Sequence, residues 1–137
     1  MTQFNNSANP EEIFELEKIC FEDPWTIEQI QSHLNHYSVL IAKEENLLIA
    51  YVLYIKSFDE IEILRIAVSP KKRKSNIGTE LIQNLIQINS VKKIFLEVNE
   101  ENLVAIQFYE KNSFQKIGIR KKYYPNNKDA IQYLKEV

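Results

Sequence analysis

Apolar residues in the first 36 positions recur at three- and four-residue intervals, and from Tyr37 onward the pattern changes to dense β-branched and aromatic runs. Pro10 followed by Glu11 and Glu12 predicts a helix start, with Asn9 as its cap and acidic side chains facing the positive end of the helix dipole. Ile13, Leu16 and Ile19 or Cys20 supply its buried stripe, and the helix is expected to end near Phe21. After Asp23-Pro24-Trp25, Thr26 and Gln29 have capping-box spacing, and Ile27, Ile30 and Leu34 predict one face of a second helix. Residues 37–42, 47–55 and 60–68 read as three strands, joined by connections short enough for an antiparallel meander. Leu81 and Leu85, with Ile82 and Ile86 beside them, predict a third helix over 78–89. A strand at 93–98, a helix at 102–111 and strands at 114–119 and 130–134 complete the order ααβββαβαββ, a mixed sheet covered by helices. The sequence shows no repeat, linker or low-complexity tract.

Composition narrows this picture. The 137 residues, 45% apolar, suffice for one ordinary core and predict one domain over 1–137. Seventeen Lys and Arg against nineteen Asp and Glu leave a net charge of -2, so no global attraction to nucleic acid is expected and any phosphate-binding surface must be local. Residues 1–9 carry neither the basic start nor the apolar stretch of a secretion signal, and no apolar run approaches the roughly 20 residues that span a bilayer. A soluble, cytoplasmic protein without membrane partners is therefore expected. The single cysteine, Cys20, fits a reducing compartment and reads as a packed thiol. His33 and His36 have no partner at metal-ligand spacing and read as surface residues, so no metal is expected.

The candidate chemistry begins where strand 60–68 runs through Ser69-Pro70-Lys71-Lys72-Arg73-Lys74-Ser75-Asn76-Ile77-Gly78 into a helix. A helix opening directly after a strand aims unpaired backbone N–H groups and a positive dipole end at one spot, which suits a pyrophosphate. Four consecutive basic residues would add attraction. Gly78, one of two glycines, permits close approach, and Asn76 is the non-glycine residue most tolerant of a left-handed turn. The same loop also reads as a solvated basic segment. A nucleic-acid patch would call for interleaved aromatic residues, and neither G-x-x-x-x-G-K-[ST] nor G-x-G-x-x-G is present.

Arg73-x-x-Asn76-x-Gly78 resembles the Q/R-x-x-G-x-G/A loop of the GCN5-related N-acetyltransferases. Within them the chain is most similar to the bacterial ribosomal-protein-alanine N-acetyltransferases. The likeness runs through Cys20-Phe21, Pro24-Trp25-Thr26, Glu62-Ile63-Leu64, Ile66-Ala67-Val68-Ser69-Pro70, Leu96-Glu97-Val98, Asn102, Ala105-Ile106, Phe108-Tyr109-Glu110-Lys111, Phe114, Arg120-Lys121, Tyr123-Tyr124 and Asp129-Ala130. Asn76 and Ser113 depart from glycines of the family pattern, Asn99 from a common arginine, and Arg65 from a small polar residue. The resemblance implies an α/β fold of the α+β type, with a mostly antiparallel mixed sheet flanked by about four helices. It also implies acetyl-CoA as donor and a protein N terminus as acceptor, namely the N-terminal alanine of a small-subunit ribosomal protein, with no direct nucleic-acid partner.

Acetyl transfer to an amine needs a base for the nucleophile, stabilisation of an oxyanion, and a proton for the departing thiolate. Glu97 and Tyr109 have the right chemistry, although pattern alone reads first as an outward-facing strand glutamate and a core tyrosine. The resemblance makes them general base and general acid. It further implies that Ile66, Ala67 and Val68 line the pantetheine arm, with the amide of Ala67 or Val68 on the thioester carbonyl. By the same resemblance Arg73, Lys74, Ser75, Asn76, Ile77, Gly78 and Thr79 hold the pyrophosphate, and Asn102 caps its helix while touching the coenzyme. Trp25, Tyr123 and Tyr124 would line the acceptor channel. Acetylation of a small amine or a lysine side chain, and a silent acyl-CoA-binding module, are the alternatives.

Overall fold

A computed structural model describes residues 1–137. The elements are β1 (Thr2–Asn5), α1 (Pro10–Cys20), α2 (Ile27–His36), β2 (Ser38–Glu44), β3 (Leu47–Ser57), β4 (Glu60–Val68), a 3-10 turn (Pro70–Lys72), α3 (Ile77–Asn89), β5 (Lys93–Asn99), α4 (Leu103–Lys111), β6 (Gln115–Arg120) and β7 (Ala130–Glu136). Local chemistry accounts for the helix starts. Asn9 accepts from the Glu11 N–H at 3.1 Å, and Thr26 and Gln29 close a reciprocal capping box. The chain reverses between β2 and β3 with Glu45 and Asn46 both at positive φ, a reversal that favours a tight hairpin.

The strands form one sheet in the order β1-β2-β3-β4-β5-β7-β6. β2, β3 and β4 make the expected antiparallel meander, β4 and β5 run parallel across the connection that contains α3, and β5, β7 and β6 are again antiparallel. β1 was not expected. Its four residues pair with β2 through backbone, Phe4 opposite Ala42, and Thr2 donates to Glu44. One sheet face packs under α3 and α4 through Leu40, Val52, Leu81, Leu85, Ile94 and Leu96. The other carries α1 and α2 over β2 to β4, through Ile13, Leu16, Ile30, Ile41 and Leu53. On that second face β5, β7 and β6 lie without a covering helix.

Two irregularities decide where function can sit. The β4–β5 register ends at Ile63 opposite Leu96, so the two parallel strands part beyond it and open a gap in the middle of the sheet. Leu53 pairs with Arg65 while Tyr54 pairs with Ile63, which makes Leu64 an extra residue in β4. Because side chains alternate, this bulge returns Ile66 and Val68 to the α3 face and turns Arg65 and Ala67 toward α1.

Candidate active site

The gap between the parted strands offers free backbone. Ser69 N–H bonds Ile49 C=O at 2.7 Å, which makes Ala50 and Val68 a pair whose own amides point away from each other. By alternation, the N–H groups of Ile66 and Val68 face the gap, while Ala67 is bonded to Tyr51 on β3. Of the two amides expected near a thioester carbonyl, only that of Val68 is available. The Val68 carbonyl is occupied, by Arg73 Nε at 3.0 Å and Cys20 Sγ at 3.5 Å. Cys20 is half-buried, and burial pushes its thiol up, with Arg73 opposing. It is a packed thiol, as its sequence context suggested.

Directly beyond β4, the basic loop borders an open cleft of about 490 Å³ lined by residues 70–75. Lys74 and Asn76 both have positive φ, 85° and 65°, so Asn76 sits in the left-handed conformation that a glycine takes most readily. No side chain caps α3. The N–H groups of Ile77, Gly78 and Thr79 therefore have no acceptor in the protein and point out of a helix N-terminus beside Lys71, Arg73 and Lys74. This donor set fits a pyrophosphate. Gly78 has no positive φ, and besides any ligand its bareness serves a neighbour within the protein: a Cβ there would lie 2.7 and 2.8 Å from Phe108 Cε1 and Cζ. Its bareness lets α3 pack against α4, one residue from Tyr109. Gly78→Val is thus expected to destabilise the fold by about 1–3 kcal/mol through overpacking, with weakened coenzyme binding as a consequence. Thermal melts and calorimetric titration test this, and Phe108→Leu should relieve Gly78→Ala. Lack of relief would place the constraint in the loop.

Glu97 lies on β5 with its side chain on the face without helices, because Ile94, Leu96 and Val98 take the other. Its carboxylate, 21% exposed, has Arg120 Nε at 3.0 Å from Oε2 and accepts from Gln132 Nε2 at 3.3 Å on the same oxygen. A groove of about 370 Å³ runs past it, bordered by Ile55, Glu62, Phe95, Ile117, Arg120 and Gln132.

Tyr109 approaches from the opposite face of the sheet. It is 6% exposed, and its ring packs 5.6 Å from Phe108, 5.5 Å from Phe114 and 6.3 Å from Tyr133. Burial raises its phenol well above the usual tyrosine range, and Tyr124 adds to the shift. A phenol so raised keeps its proton across the physiological range. Tyr124 joins the two sides. Its own phenol is raised by burial first, then by the Glu97 carboxylate and Tyr123, with Arg65 opposing. Tyr123 packs edge-on to Tyr124 at 5.2 Å and lies under Arg120 at 4.8 Å. Asn102 caps α4 by accepting from Ala105 N–H at 3.2 Å.

Sequence reasoning missed a buried polar network between α1, β3 and β4. Glu17, fully buried on α1, accepts from Arg65 Nε and Nη2 at 2.8 and 3.0 Å, from the Tyr51 hydroxyl and from Trp25 N–H at 2.8 Å. Arg65 also donates to Asp23 C=O at 3.2 Å and stacks 3.6 Å from the Phe21 ring centroid. The α1–α2 connection that carries Trp25 is thereby tied to β4. A signal existed: Glu17 falls four residues after Ile13, on the buried stripe, while Ile19 is exposed. His33 is buried, against the surface position expected, with its Nε2 bonded to Ser38 C=O at 2.8 Å and its ring 6.1 Å from that of Trp25.

Comparison with known proteins agrees with this fold. The family model described as "Acetyltransferase (GNAT) family" matches residues 10–114. A ribosomal protein bS18-alanine N-acetyltransferase from Haemophilus ducreyi is 28% identical over 117 residues, covering 82% of this chain and 81% of that protein. The crystal structure of the ribosomal-protein-alanine N-acetyltransferase from Escherichia coli superposes with a TM-score of 0.91 at 24% identity, covering 100% of this chain and 94% of the other. A GNAT family acetyltransferase from Elizabethkingia anophelis, solved with acetyl-CoA bound, gives 0.79 at 20% identity over 99% of this chain and 98% of its own.

Proposed function

Because the chain belongs to the acetyltransferase (GNAT) family, we propose that it transfers acetyl from acetyl-CoA to the α-amino group of a protein N terminus, with the N-terminal alanine of a small-subunit ribosomal protein as acceptor. One arrangement supports the catalytic reading: Glu97 stands on β5 just beyond the last β4–β5 pair and Tyr109 lies on the opposite face of the sheet, while Tyr124 raises the Tyr109 phenol and Glu97 raises that of Tyr124. The names of the similar proteins support the choice of acceptor. We place the activity in a single domain over 1–137 acting in the cytoplasm; no helix is long and apolar enough to cross a membrane.

Acetyl-CoA supplies an acyl carbon activated as a thioester. When bound, its pyrophosphate would be held by the N–H groups at the start of α3 with Arg73 and Lys74, and its pantetheine arm would run along the free edge of β4, bonded by Ile66. Glu97 takes the proton of the acceptor amine, directly or through one water, as the nitrogen bonds the acyl carbon. Val68 N–H stabilises the oxyanion. The carbon–sulfur bond then breaks, and Tyr109 gives its proton to the sulfur. Trp25, Tyr123 and Tyr124 enclose the chain behind the reacting amine.

Mass spectrometry after incubation with acetyl-CoA tests the acceptor. Peptides beginning with free alanine should gain one acetyl group at the α-amine, and matched peptides with a blocked N terminus and free lysines should gain none. Transfer to lysines, or to polyamines alone, would overturn the N-terminal assignment.

A further inference from the structure

We propose that Arg120 and Gln132 are positioning residues for Glu97: they hold Oε2 from β6 and β7 and leave Oε1 for the acceptor amine. This rests on the reading of Glu97 as general base. Glu97, Gln132 and Gly118 stand in one row across β5, β7 and β6. Gln132 Nε2 donates to Oε2 at 3.3 Å and Arg120 Nε lies 3.0 Å from the same atom, whereas no side-chain or backbone donor hydrogen-bonds Oε1. A glutamate side chain left to itself samples several rotamers, and a base must meet its proton within hydrogen-bond reach. Two contacts on one oxygen remove that freedom without occupying the other.

The surrounding backbone is adapted to this arrangement. A Cβ on Gly118 would lie 2.6 Å from Gln132 Oε1, so the absence of a side chain lets Gln132 lie across β6 toward β5. Lys116 pairs with Tyr133 and Gly118 with Gln132, making Ile117 an extra residue. This bulge brings Gly118 and Arg120 onto the face of Glu97; an unbroken alternation would send Arg120 to the other side. Arg120 is also 53% exposed, and an ion pair so open to water contributes little to stability. Stability alone gives little reason for the arrangement, and variants at this position should fold.

The test is steady-state kinetics with an alanine-ended peptide for Arg120→Ala, Gln132→Ala and Gly118→Ala, each in wild type and in Glu97→Gln, with acetyl-CoA affinity measured separately. Each single variant should lose roughly 10- to 100-fold in kcat, with little change in acetyl-CoA Kd or Tm, and Arg120→Lys should recover part of the loss. In the Glu97→Gln background the same changes should cost nothing further, because the group they act through is already disabled. Equal losses in both backgrounds, or unchanged kcat in wild type, would overturn the positioning role while leaving the base intact. An unaffected Glu97→Gln enzyme would overturn both.

Discussion

Glu97→Gln is expected to lower kcat by about 10²- to 10⁴-fold, the usual contribution of a positioned general base, while leaving acetyl-CoA affinity nearly unchanged. The amide keeps the size of the carboxylate and can still meet Gln132, yet it cannot take a proton from an amine. The α-amino group has a pKa of about 8, so much of it is protonated near neutral pH and the missing proton acceptor is felt directly. Tyr109→Phe should give a loss of similar size with almost no cost in Tm. Its ring contacts with Phe108, Phe114 and Tyr133 survive, and its hydroxyl has no hydrogen-bond partner within the protein to lose. The raised phenol also predicts a sign. Its proton-donating form persists above the ordinary tyrosine value of about 10, so kcat should show no alkaline decline from Tyr109 through pH 9. Stopped-time acetylation of an alanine-ended peptide checks each point. Normal kcat in either variant would remove that residue from the mechanism.

The elements whose causes are local were legible in the sequence. The capping box of Thr26 and Gln29 and the Asn9 cap lie within a few residues of the groups they satisfy. Asn76 and Ser113 stand where the family pattern has glycine, and both have left-handed backbones, at 65° and 70°. Glu97 was legible only in part, because alternation along β5 turns it away from the core whether or not it is catalytic. What stayed hidden depends on register. The extra residues Leu64 and Ile117 leave no mark in the hydrophobic pattern, yet they aim Arg65 at Glu17 and Arg120 at Glu97. Gly78 was recognisable as special, but its cause, the Phe108 ring, lies thirty residues away in sequence. β1 is equally hidden, since its backbone pairing with β2 leaves only Phe4 as an apolar signal.

Glu17→Ala should destabilise the protein by about 3–5 kcal/mol, as expected when one partner of a buried ion pair is removed, a large part of the roughly 5–15 kcal/mol that holds a domain folded. The variant strands Arg65, the Tyr51 hydroxyl and Trp25 N–H, all of which converge on this one carboxylate. Burial already raises the Tyr51 phenol, with Glu17 adding to the shift, so ionisation offers Tyr51 no escape. Replacing both charges separates stability from function. Glu17→Leu with Arg65→Met fills the space with apolar groups, and such exchanges are often neutral in stability. Chemical denaturation should therefore show the double variant recovering most of what Glu17→Ala loses. Activity should not recover with it, because Trp25 N–H and Asp23 C=O would still lack the partners that fix the α1–α2 connection, which carries the proposed acceptor-channel residue Trp25. The defect should appear as a raised KM for the peptide and an unchanged Kd for acetyl-CoA, whose proposed contacts lie on β4 and α3. A double variant with full stability and wild-type peptide KM would show that the ion pair only holds the fold together.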